Sequence, residues 1–102
     1  MKIILDECVP GLIRTALPHH DIVTVQYKGW SGIKNGELLR RVAAEFDIFV
    51  TSDQNLRYQQ NLSQFEIALV VLPSNQVPAV KAVLPEIDEA LKRIKPSELI
   101  EI

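Results

Sequence analysis

The run Asp47-Ile48-Phe49-Val50-Thr51 is almost continuously apolar, and the longer run Ile67 to Leu72 is apolar at every position. A strand with one wet face alternates; a strand that is apolar throughout is covered on both faces, the condition of a parallel sheet between helices. Two further β-branched runs, Lys2 to Leu5 and Ile22 to Val25, precede them, and segments of helical length separate the runs. Strands alternating with helical segments predict βαβ units. The expectation is an α/β fold, three-layer α/β/α, forming a single domain over residues 1–102 with a mainly parallel sheet of about five strands.

The intervening segments read as helices from their breakers and stripes. Pro10 falls in a first helical turn, where its missing N–H costs nothing. Leu12, Ile13, Ala16 and Leu17 form that helix's apolar stripe, and Pro18 stops it. Gly29-Trp30-Ser31-Gly32 is a loop by its glycines. Asn35 reads as the N-cap of a helix from about Gly36 to Glu45, with Leu38, Leu39, Val42, Ala43 and Phe46 turned inward. Gln54 to Leu62 is a short polar helix or loop. A last helix spans Val77 to Ile94, kinked or restarted at Pro85. Pro96 ends it, and Glu98 to Ile102 alternates like an edge strand.

At 102 residues, 47% hydrophobic and 24% charged, the chain suits an ordinary globular domain with its own core. No apolar run approaches the roughly 20 residues of a bilayer span, and Asp6 interrupts the N-terminus too early for a signal peptide. The lone cysteine, Cys8, excludes an intrachain disulfide and paired-cysteine zinc sites, and suits a cytoplasmic location. A net charge of -2 argues against a broad nucleic-acid-coating surface. Through Arg57, however, Lys2, Arg14, Lys28, Lys34, Arg40, Arg41 and Arg57 match the acids in number, so a cation among those acids would leave this half locally basic. Scattered solvated charges fit the composition equally well.

Two acidic positions follow strands: Leu5-Asp6-Glu7 and Thr51-Ser52-Asp53. Open α/β sheets place their ligand crevice at the strand C-termini. Carboxylates converging there repel one another unless a cation or proton lies between them. Hard cations such as Mg²⁺ or Mn²⁺ take oxygen ligands, commonly a few carboxylates plus water. Asp6 and Asp53 supply two if their strands are neighbours, and Glu37, in the first turn of the next helix, is the third candidate. Glu7 and Asn35 are weaker candidates around the same ion. Taken singly, each acid also suits helix capping or a helix dipole. Two acidic strand ends together favour a metal site for phosphodiester chemistry.

Other polar residues are ambiguous. Trp30 could stack a base or a ribose, or equally plug the core or an oligomer interface. Ser52, Arg57 and the residues after it could contact phosphate or form an ordinary polar surface. His19-His20 reads as a solvated turn at the opposite sheet edge, and Cys8 as a small buried hydrophobe without a histidine base.

Ile3-Ile4-Leu5-Asp6-Glu7, Gly29-Trp30-Ser31-Gly32, Asn35-Gly36-Glu37-Leu38-Leu39 and Phe49-Val50-Thr51-Ser52-Asp53, in this order, resemble the small PIN-like proteins. These are compact bacterial and archaeal relatives of PIN-domain ribonucleases, some of them toxins encoded beside an antitoxin. The resemblance covers nearly the whole chain. It implies a metal-dependent endoribonuclease of single-stranded RNA using Mg²⁺ or Mn²⁺. The catalytic, metal-holding acids would be Asp6, Glu37 and Asp53, with Asn35 or Glu37 matching the family's acid at the helix start, and Glu7, Asn35, Ser52, Arg57 and Trp30 around them. A cognate antitoxin and a homodimer are the implied protein partners. Asn35 stands where many relatives carry aspartate, and the longer helical insertion of full-length PIN toxins is missing.

Two alternatives accompany this reading. One is a catalytically silent PIN-like binding module. The other is a receiver-like phosphoacceptor domain, which also places acids after its first strand and an aspartate after its third. A receiver needs a lysine at the end of its last strand, and Glu98-Leu99-Ile100-Glu101-Ile102 has none; Ser74 after the fourth strand is a partial match.

Overall fold

The computed structural model describes residues 1–56 and 65–102. Its centre is one five-stranded sheet: β1 (Lys2–Leu5), β2 (Asp21–Thr24), β3 (Ile48–Thr51), β4 (Ala68–Val71) and β5 (Leu99–Glu101). The strand order is β2-β1-β3-β4-β5, and every neighbouring pair is parallel. The α/β expectation therefore holds, with a sheet that is wholly parallel. Among the described residues four helices accompany it: α1 (Leu12–Ala16), α2 (Asn35–Glu45), α3 (Val77–Ala82) and α4 (Leu84–Arg93).

The pleat assigns alternate residues to two cores. On one face Ile3, Leu5, Ile48, Val50 and Val70 meet Ile13 of α1, Val80 of α3 and Ile87 and Leu91 of α4. On the other, Ile4, Phe49, Leu69 and Val71 meet Leu38, Leu39 and Val42 of α2, with Trp30 and Leu56 filling in around them. This is a three-layer α/β/α arrangement. It explains the continuous apolar runs, because all four residues of β3 and of β4 are buried. Each fully buried aliphatic or aromatic side chain contributes roughly 1.5–3 kcal/mol relative to exposure.

Sheet order also fixes where a crevice opens. From β1 the chain crosses by α1 to β2 on one side, then by α2 over the opposite face to β3 on the other side. Successive connections thus diverge at the C-terminal ends of β1 and β3. Ligands of open α/β sheets bind at such a switch point.

Local departures from the sequence expectations have local causes. The helix after Pro10 starts only at Leu12, and Pro10 sits in the turn before it, accepting from Ile13 N–H at 3.4 Å. Asn35 is not an N-cap: Lys34, with φ -68° and ψ 152°, takes that place, and Asn35 is the first helical residue. The last helix is divided as Pro85 predicts, with α4 restarting around Pro85 in its first turn. Gly29 and Gly32 adopt φ of 75° and 80°, the left-handed conformation for which glycine is suited. Of the expected polar segment from Gln54 to Leu62, the part from Arg57 onward lies outside the described residues. Leu56, before it, is buried against the α2 face. Among the described residues no helix is long and apolar enough to cross a membrane.

Candidate functional site

At the switch point Thr51 links the Asp6 carboxylate to the Asp53 backbone. The last ladder bonds, Asp6 N–H to Val50 O at 2.9 Å and Leu72 N–H to Thr51 O at 2.8 Å, carry regular geometry to the sheet edge. There the Thr51 hydroxyl donates to Asp6 Oδ2 at 2.8 Å and accepts from the Asp53 N–H at 3.0 Å. Thr51 is fully buried and Asp6 only 8% exposed, so this unit is built into the fold. Asp6 Oδ1 accepts from Glu7 N–H at 2.8 Å, and Cys8 Sγ donates to Oδ2 at 3.7 Å. Ser52 in turn donates to Cys8 Sγ at 3.1 Å.

Asp53 performs two tasks. Its Oδ1 accepts from Asn55 N–H at 2.9 Å, the turn-forming role open to any aspartate. Its Oδ2 accepts from Asn35 Nδ2 at 3.4 Å, so the first residue of α2 reaches across to the end of β3. An asparagine at a helix start more often satisfies its own helix; here its amide is spent on a carboxylate from another element.

Glu37 faces elsewhere. It pairs with Arg40 and Arg41 on its own helix, at i+3 and i+4, with Arg41 Nε at 3.3 Å. Hydrogen bonds from Arg40 first, then Arg41, hold its carboxyl below the ordinary range. Asp6, Glu37 and Asp53 do not bring one oxygen each within 4.8 Å of one another, whereas one other trio of described residues meets that spacing.

The surrounding candidates separate into loop anchors and core. Glu7 Oε1 accepts from Gly32 N–H at 3.1 Å and Glu7 O from Gln26 Nε2 at 3.1 Å, fastening the Gly29–Gly32 loop to the end of β1. Trp30 is a core residue: 8% exposed, edge-on to Phe46 at 6.2 Å, with Lys28 Nζ 5.0 Å from its ring centre. That burial excludes the base-stacking role in this conformation. Cys8 is exposed instead of buried. Arg57 lies outside the described residues.

The trio that does converge is His19, His20 and Asp88. Both imidazole Nε2 atoms lie 2.8 Å from Asp88 Oδ1, and Lys92 Nζ is 3.3 Å from Oδ2. These bonds, His20's the largest, then His19's, with Lys92 adding to them, hold the Asp88 carboxyl far below its ordinary range. The histidine turn is thus not merely solvated. Nothing in the local sequence signals this, since its partner lies 68 residues away from His20.

Compared with known proteins, the chain matches no family model, no curated protein and no solved structure.

Proposed function

We propose that the chain is a metal-dependent endoribonuclease of PIN-like type, acting on single-stranded RNA at the switch point between β1 and β3. The observation that carries this reading is the Asp6–Thr51–Asp53 unit: two carboxylate residues at the ends of adjacent parallel strands, tied through one buried hydroxyl. The donor set suits a hard cation, because Mg²⁺ commonly takes one or two carboxylates and keeps several waters. Asp6 and Asp53 would hold it. Bound there, Mg²⁺ or Mn²⁺ would supply charge neutralisation at phosphate and a more acidic water. Asn35 orients Asp53. Glu37 pairs with Arg40 and Arg41 midway along α2, where the two arginines can take RNA phosphates. A toxin role beside an antitoxin and a homodimeric state are the biological context the resemblance suggests.

The test is cleavage of single-stranded RNA with Mn²⁺ or Mg²⁺. EDTA and Asp53→Asn should each abolish it. Equal cleavage by wild type and Asp53→Asn would assign the activity to a contaminant and end the proposal.

A receiver-like reading draws on one observation: the β2-β1-β3-β4-β5 order is that of flavodoxin-like sheets, with Asp53 just past β3. Labelling of Asp53 by a small phosphodonor would favour it. β5, Leu99–Glu101, offers no lysine to bind the phosphoryl group, which weighs toward the nuclease. The silent-module reading draws on Glu37's engagement with two arginines, and it predicts no shift in melting temperature with Mn²⁺.

A further inference from the structure

We propose that His19, His20 and Asp88 form a site for one divalent late first-row transition ion, zinc foremost, at the sheet edge opposite the switch point. The claim is independent of the nuclease reading, because these residues precede β2 and lie on α4, away from Asp6 and Asp53.

Three observations build the site. The ligand atoms converge: both Nε2 atoms approach the same carboxylate oxygen at 2.8 Å, and all three atoms lie within 4.8 Å of one another. Tetrahedral zinc with ligand bonds near 2.0–2.1 Å separates its ligands by about 3.3 Å, so each imidazole need move only about half an ångström from Asp88 Oδ1. The supports are firm. Leu17 N–H to Ile13 O and His20 N–H to Leu17 O, at 3.0 and 3.1 Å, fix the turn, and Ile87 and Leu91 root α4 in the core. Access to the rings is open, since His19 and His20 line a depression of about 450 Å³ with Leu91 and Lys92, and the Asp88 side chain is itself 23% exposed.

The donor types select the ion. Two imidazoles and one carboxylate suit Zn²⁺, Ni²⁺ or Co²⁺, whereas Mg²⁺ and Ca²⁺ prefer oxygen. Each ring that donates from Nε2 to Asp88 would shift that proton to Nδ1 and offer the Nε2 lone pair to the ion. Lys92 stays on Oδ2, leaving Oδ1 as a single-oxygen ligand, and water completes the coordination. The ion would replace a hydrogen-bonded clasp between the α1–β2 turn and α4 with a coordinate one.

The probe is Zn²⁺ alone, measured by titration calorimetry on the full chain, with Co²⁺ visible absorption reporting coordination. Expected is one equivalent bound, with affinity lowered about a hundredfold or more in His20→Ala and Asp88→Asn. His19→Gln, at an exposed position, guards against misfolding of the other two and should likewise abolish the zinc-induced rise in melting temperature. With Mg²⁺ in large excess to occupy the Asp6–Asp53 corner, Lys81→Ala, at an exposed position on α3, should bind zinc as wild type does. Wild-type binding too weak to detect, or binding unchanged in His19→Gln, would overturn the proposal and leave the trio an ordinary ion-pair cluster.

Discussion

Thr51 holds Asp6: its hydroxyl donates to Oδ2 at 2.8 Å with both residues buried at the sheet edge. Thr51→Val keeps the shape but removes both this bond and the acceptor for Asp53 N–H. Bonds to charged groups contribute about 1.5–3 kcal/mol, so urea unfolding should show a loss of about 2–3 kcal/mol. Thr51→Ser, which keeps the hydroxyl, should lose less than Thr51→Val.

Asp6→Asn and Asp53→Asn should part company in EDTA. All of Asp6's partners are donors: Thr51, Cys8 and the Glu7 N–H. An amide placed there turns an NH₂ toward donors and should cost about 1–3 kcal/mol. At Asp53 an amide keeps one oxygen for Asn55 N–H, and Asn35 can flip to present its own oxygen. Asp53→Asn should therefore melt within about 1 kcal/mol of wild type. It is the cleaner variant for testing catalysis. If both variants were stabilised, repulsion between the carboxylates would outweigh these bonds.

Removing Trp30 should act on folding. Trp30→Ala empties a buried position against Phe46 and should destabilise by about 3–5 kcal/mol, with Trp30→Phe recovering part of that. Chemical denaturation followed by circular dichroism would measure both.

Arg40 and Arg41 carry a salt-dependent prediction. If each meets one phosphate, Arg40→Ala and Arg41→Ala should each flatten the slope of log affinity against log salt by about 0.7 for single-stranded RNA. Glu37→Gln, which loosens both arginines, should weaken RNA binding at unchanged Mn²⁺ dependence. A raised Mn²⁺ requirement in that variant would instead make Glu37 a metal ligand.

The Asp88 clasp makes stability depend on pH in a defined direction. Its folded pKa is depressed, so its contribution is present above the unfolded carboxylate value, about 4, and fades as pH falls through the lower folded value. Melting temperature should fall with acid below about pH 4 in wild type, and Asp88→Asn should flatten that slope.

The sheet was legible because burial on both faces writes itself as unbroken apolar sequence, and β3 and β4 were located within a residue at each end. Asp47 lies just outside β3 yet still makes ladder-end bonds, its N–H donating to Lys2 O at 2.8 Å and its O accepting from Ala68 N–H at 3.0 Å, while its side chain accepts the Lys2 N–H. Proline marked the α3–α4 break. Asn35 was misplaced because capping is a local rule, and its actual partner, Asp53, is a tertiary one. Glu37 was assigned to the crevice by its place in the helix, while the arginines one turn later compete for it with shorter reach. The His19–His20–Asp88 trio left no trace in the sequence, since no periodicity links a turn to a helix 68 residues on.

The strand order has a consequence for a chain emerging from the ribosome. β2, β1 and β3 are neighbours, so Asp6, Asn35, Thr51 and Asp53 are all synthesised before β4 exists. The chemistry-bearing corner can take shape on the first half of the polypeptide, while one side of its sheet still awaits α3 and α4. Contacts of long sequence separation form late. The clasp from His19 and His20 to Asp88 then latches the final helix at the opposite edge of an already assembled half-sheet. Loosening that latch should speed unfolding and leave the refolding rate nearly untouched.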